Sequence, residues 1–115
     1  MTYNGFWVDD KRSGNGFQLW GDTLLRYKGE WDNDTYNGKG IFYRSRKGRD
    51  IGNYKNGSLH GEGTLLREDG SVDFEGNFKD GEKHGYGVEF YINPVYIKLF
   101  EGEWSEDKFI KYLFI

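Results

Sequence analysis

The chain has no cysteine, one proline and two histidines. Disulfides and thiolate metal sites are thereby excluded, and two imidazoles leave little for a histidine metal site. Alanine is absent as well, while glycine occurs 18 times. A glycine costs about 1 kcal/mol per helical position relative to alanine, so helix is disfavoured along most of the chain. No run of about 18 apolar residues occurs, and the opening MTYNGFWVDDKRSG has no basic segment followed by an apolar one. The expectation is a cytoplasmic, non-secreted chain, with association to a membrane or the cytoskeleton left open. A basic excess is also missing, since 16 Lys and Arg stand against 19 Asp and Glu for a net charge of -3. Nucleic-acid domains usually carry such an excess, so no nucleic acid is expected as a partner.

What the sequence does have is a repeat. YNGFW (3 to 7), YKGEW (27 to 31), DIGNY (50 to 54), FEGNF (74 to 78) and FEGEW (100 to 104) are one phrase centred on Gly5, Gly29, Gly52, Gly76 and Gly102. A second phrase, G-x-G, begins nine residues after each of the first four of these glycines, at Gly14, Gly38, Gly61 and Gly85. Side chains alternate with the strand period of two in both phrases, so each unit reads as two strands. Tyr27, Gly29 and Trp31 share one face, and Lys28, Glu30 and Asp32 the other. KNG (55 to 57) and KDG (79 to 81) supply the residue pairs of tight type I′ hairpin turns, and EDGS (68 to 71) marks a return turn. The one proline predicts a bulge or wider loop at Asn93 and Pro94. Glycines beside aromatics suggest rings from neighbouring strands covering the holes that glycines leave.

YKGEW with NGKG, and FEGNFKDGEKHGYG (74 to 87), resemble the MORN repeat, a unit of about 23 residues of the form Y-x-G-x-W, then N-G, then H-G-x-G. The resemblance covers residues 3 to 104 in four full units and a partial fifth. It implies an all-β fold, an elongated single-layer antiparallel β-meander of stacked hairpins with about ten strands. One domain, 1-115, is expected, with units at about 3-26, 27-49, 50-73 and 74-99 and a partial unit at 100-115 acting as a C-terminal cap. There are departures. Asp50 stands where a leading aromatic belongs, the first two units lack the turn glycine, and Lys111 stands where a glycine would fall after Trp104.

No convergent catalytic set is visible, so the chain reads as non-enzymatic and without a cofactor. His60 and His84 precede the first glycine of a G-x-G at equivalent positions, which favours a structural role. The G-x-G runs precede strands, whereas phosphate-binding glycine loops open helices. The row Tyr3, Trp7, Tyr27, Trp31, Tyr54, Phe74, Phe78, Phe100 and Trp104 is the candidate partner-binding groove, with the core expected to claim most of its rings. Arg44, Arg46, Lys47 and Arg49 form a local basic cluster that could contact an anion or lipid headgroup. The leading expectation is a scaffold binding another protein or a second copy of itself. MORN resemblance also implies two alternatives, a phosphoinositide-binding membrane module and a regulatory region of a larger enzyme.

Overall fold

Alternation of aromatic and polar residues, interrupted by turn pairs, builds ten strands in a computed structural model that describes residues 2–21, 23–44, 48–92 and 95–113. They are β1 (Thr2–Val8), β2 (Lys11–Trp20), β3 (Leu24–Asp32), β4 (Thr35–Tyr43), β5 (Arg49–Lys55), β6 (Ser58–Leu66), β7 (Val72–Lys79), β8 (Glu82–Ile92), β9 (Tyr96–Ser105) and β10 (Lys108–Tyr112). Each pairs antiparallel with the next in one open sheet, in the order of the sequence. The principal extents of 52 × 27 × 16 Å are those of one elongated layer. The turn expected at Asn93 and Pro94 lies outside the described residues.

The hairpin turns are two-residue pairs with positive φ at both positions. Asn56 and Gly57, and Asp80 and Gly81, use the expected glycine. Asp9 and Asp10, Asn33 and Asp34, and Glu106 and Asp107 adopt the same conformation without it. In the second of these pairs, the Asp34 N–H donates to the Arg12 carbonyl (3.1 Å), and its carboxylate accepts from the Arg12 N–H (3.0 Å) and Nε (2.7 Å). Asp107 repeats the arrangement, with its N–H on the Lys83 carbonyl (3.2 Å) and its carboxylate on the Lys83 N–H (2.8 Å). An aspartate can replace the turn glycine because its carboxylate takes up a backbone donor of the preceding hairpin.

Sheet register shows why G-x-G needs both glycines. Its second glycine pairs with the central glycines of the flanking strands, so Gly5, Gly16, Gly29, Gly40, Gly52, Gly63, Gly76, Gly87 and Gly102 form one row across β1 to β9. Its first glycine lies in a bulge. Between the paired residues Tyr36 and Gly40 the chain accommodates Asn37, Gly38 and Lys39 opposite Glu30, and Gly38 takes φ 105°. Gly14, Gly61 and Gly85 adopt positive φ at the same place in their hairpins. The last hairpin lacks that glycine. Only Ile110 intervenes between the paired residues Phe109 and Lys111, and the row ends with Tyr112 opposite Gly102.

Rings cover the glycine row on one face. A Cβ on Gly40 would collide with the Tyr27 ring, one on Gly5 or Gly16 with Tyr3, and one on Gly87 with Phe74. Tyr27 and Phe74 are completely buried, each worth roughly 1.5–3 kcal/mol of apolar burial. Neighbouring rings meet edge to face at centroid distances of 5.3 Å (Tyr27 with Trp31) and 5.1 Å (Phe74 with Trp104). Trp31 and Trp104 donate from Nε1 to the row carbonyls Gly16 (3.1 Å) and Gly87 (3.1 Å), joining each hairpin to the one before it. Asp50 breaks the series. Over its rung, Leu59 and Phe78 approach Gly52 and Gly63, with 3.2 Å and 3.1 Å to the positions a Cβ would take.

Gly87→Ala should therefore destabilise by about 3 kcal/mol or more, since the fully buried Phe74 ring that a Cβ would strike has nowhere to retreat. Gly63→Ala, where the tightest approach is the Phe78 edge at 3.1 Å, should cost roughly 1–2 kcal/mol on the side-chain collision. Urea unfolding of both variants tests the order, and equal losses would show that ring contact does not set the cost.

Candidate functional site

The candidate row of rings divides by exposure. Tyr27, Trp31, Tyr54, Phe74, Phe78 and Trp104 are buried in the core, Tyr3 is half-buried against it, and Trp7 and Phe100 are exposed. Tyr36, Leu59 and Phe109 belong to the same core. Burial raises the Tyr27 and Tyr54 hydroxyl pKa values far above the usual range, so both stay neutral. The six buried rings are therefore the interior and offer no groove surface.

A groove does exist on the opposite face. Because the glycines have no side chain and their neighbours point away from the rings, a trough with a backbone floor runs along the glycine row. Three hollows compose it. One of about 590 Å³ lies over β1 to β3, from Asn4 to Gly29; one of about 510 Å³ over β3 to β6, from Lys28 to Thr64; and one of about 370 Å³ over β6 to β9, from Glu62 to Glu101. The first two share Lys28 and Gly29, and the last two share Glu62, Gly63 and Thr64. On the wall away from the hairpin turns, cross-strand neighbours run Phe17, Lys28, Ile41, Ile51, Thr64, Glu75, Val88 and Glu101. Lys39, Asn53 and Glu62 stand on the facing wall. At the far end, Tyr86 donates to the Glu101 carboxylate (2.5 Å), which raises the phenol pKa and lowers that of the carboxyl, and Lys98 Nζ lies 3.3 Å from Glu101.

The sequence profile of the MORN repeat matches residues 3–23, 27–49, 51–72, 74–93 and 100–109. The chain belongs to the MORN-repeat family. Alsin of Homo sapiens and alsin of Rattus norvegicus are each 34% identical over 114 residues, covering 93% of this chain and 7% of their own length. MORN repeat-containing protein 3 of Xenopus laevis is 34% identical over 76 residues, 61% of this chain and 32% of its own. The chain thus spans a small part of the curated alsin relatives. MORN repeats form a non-catalytic module associated with membrane and protein interactions, and no helix among the described residues is long and apolar enough to cross a membrane.

The remaining candidates take their places in this MORN sheet. Arg44 Nε lies 2.8 Å from Asp50 Oδ1, and Arg44 also donates to the Leu66 carbonyl (2.9 Å). Arg49 is half-buried beside Gly70, while Arg46 and Lys47 lie outside the described residues. Arg44 is therefore neutralised by the residue that replaces the ring, and is not a free cation. Arg67, one unit on, donates to the Val72 carbonyl (2.7 Å) and the Phe90 carbonyl. Trp20 does the same from Nε1 to the Tyr43 carbonyl (3.4 Å), so Trp20, Arg44 and Arg67 tie successive hairpins along the edge opposite the tight turns. His60 Nδ1 accepts from the Asp80 N–H (3.4 Å) in the following hairpin turn, and His84 is exposed. Among the described residues no group of three His, Asp or Glu side chains could hold a metal ion.

Burial pushes the Asp50 carboxyl pKa up, and the opposing attraction of Arg44 does not cancel the shift. Below the ordinary carboxylate value of about 4 the group is protonated in folded and unfolded chains alike. As pH rises from there, the unfolded chain releases the proton first, so stability is lost through the window up to the raised folded value. Wild type should therefore lose stability relative to Asp50→Asn from about pH 4 toward neutrality. Chemical unfolding at a series of pH values reads the slope, and a difference that is flat or rises with pH would refute it.

Proposed function

We propose that this MORN region is a non-enzymatic scaffold that holds an extended stretch of another polypeptide in the glycine-floored groove. The observation that carries the reading is the continuity of the hollows through shared residues, from Asn4 on β1 to Glu101 on β9. A floor without side chains lets another backbone approach closely, and the Ile41 and Ile51 pair offers apolar contact at its middle. The groove is shallow and open, which suits a narrow extended chain better than a globular surface. It also stays free when the rings are buried, so folding and binding use opposite faces.

A second reading, pairing with another copy, is favoured by one different observation. Phe6, Trp7 and Val8 are exposed at the β1 edge, and Ile110, Tyr112 and Leu113 at the β10 edge. Unpaired strand edges with exposed apolar side chains invite further strand pairing. The lipid reading has weaker support, because Arg44 is held by Asp50.

Peptides selected from a displayed library of extended sequences test the groove. Their binding should shift the backbone resonances of Lys28, Gly40, Ile51 and Gly63, and Ile41→Glu should weaken it about tenfold while leaving the melting temperature within a few degrees. Resonance changes confined to the strand edges, with dimer formation on a sizing column, would transfer the function to self-association. Salt-sensitive binding to anionic vesicles, with no peptide ligand, would transfer it to membranes.

A further inference from the structure

Among the residues that line the groove, the charges left outside ion pairs are segregated. Lys28 on β3 and Lys39 on β4 stand at its basic half, and Glu62 on β6 and Glu75 on β7 at its acidic half. All are exposed, and none is in an ion pair with another described residue. Elsewhere among the described residues opposite charges are matched, as Lys83 with Glu89 along β8 (3.6 Å) and Lys111 with its cross-strand neighbour Glu103 (3.5 Å). No ion pair joins the four groove residues to one another. The Glu30 carboxylate accepts from the Lys39 backbone N–H (2.5 Å), and Glu101 at the acidic end is held by Tyr86 and Lys98.

The arrangement is also nested. Lys39 and Glu62 share one wall on β4 and β6, while Lys28 and Glu75 share the other on β3 and β7, so both pairs centre on β5. Strands lie about 4.8 Å apart, which separates the inner pair by about 10 Å and the outer pair by about 19 Å. A chain laid across the strands advances about 3.3 Å per residue, so these spans match roughly three and six residues. Between them lies the Ile41 and Ile51 contact.

We infer that the groove selects a polypeptide segment of opposed charge, acidic at the end over Lys28 and Lys39, apolar at the centre, and basic at the end over Glu62 and Glu75. The inference rests on the groove reading above and adds the chemistry of the partner. A uniformly acidic or uniformly basic segment gains contacts at one half and meets like charge at the other. A lipid surface, which presents one sign of charge, fits the segregated pattern poorly.

The test uses three fluorescent peptides of equal length with the same apolar centre, one acidic then basic, one acidic throughout and one basic throughout. The opposed peptide should bind wild type about tenfold more tightly than either uniform one at low salt, with the preference shrinking as salt is raised. Glu62→Lys with Glu75→Lys should turn the preference to the acidic peptide, and Lys28→Glu with Lys39→Glu to the basic one. Thermal melting checks folding, and the single variants Lys28→Gln and Glu75→Gln serve where a double variant unfolds. Binding that Ile41→Glu abolishes but charge order does not affect would overturn the opposed-charge inference and leave the groove. No binding by any of the three peptides, or binding that Ile41→Glu leaves unchanged, would overturn the groove and the inference together.

Discussion

The sheet depends on contact between a buried ring and a row of bare backbone. A strand glycine ordinarily weakens a sheet, because it has no side chain to pack and more conformational freedom to lose. Here the nine glycines of the row lie side by side. Tyr3, Tyr27 and Phe74 lie across successive pairs of them, so the missing side chains become the sites that the core fills. A single layer has no second sheet to bury its apolar face. Rings packed over the glycine backbone, locked edge to face with the next ring, are how this layer closes its own interior.

Hairpins are coupled by the same geometry. At the tight turns, Asp34, Gly57, Gly81 and Asp107 each donate an N–H to a carbonyl one unit earlier, at Arg12, Tyr36, Leu59 and Lys83. At the opposite edge Trp20, Arg44 and Arg67 reach carbonyls one unit later. The sheet is therefore laced on both margins as well as through its centre. Asp50 shows how far the arrangement tolerates a defect, since Leu59 and Phe78 close over its rung and Arg44 takes the charge. Neighbouring units absorb a fault because each touches only those beside it.

Much of this was legible in the sequence. The phrase spacing gave the strands, the order and the turns at Asn56 and Asp80, because glycine, aspartate and asparagine carry a local conformational signal. The turns at Asp9 and Glu106 were harder, since their positive φ is stabilised within the folded sheet and not by a turn glycine. The ring row was visible, but its burial was not. Whether Trp31 lines a groove or fills the core depends on how closely it meets the glycines of the preceding hairpin, which requires the register. Register also explains why the groove on the other face was missed. Lys28, Ile41, Ile51 and Glu75 look unrelated along the chain until pairing sets them side by side.

The two faces carry different constraints. On the ring face a glycine or an aromatic stands at nearly every rung, and where Asp50 replaces the ring Leu59 and Phe78 lie over the glycines instead. Positions next to the row on the other face have no such duty. Lys28, Thr64 and Glu75 vary from charged to polar within one chain while the backbone beneath them repeats. Folding thus fixes the floor and leaves the walls free to vary. On the groove reading proposed above, a MORN array would keep one fold and change what its groove accepts by changing the residues on either side of each glycine.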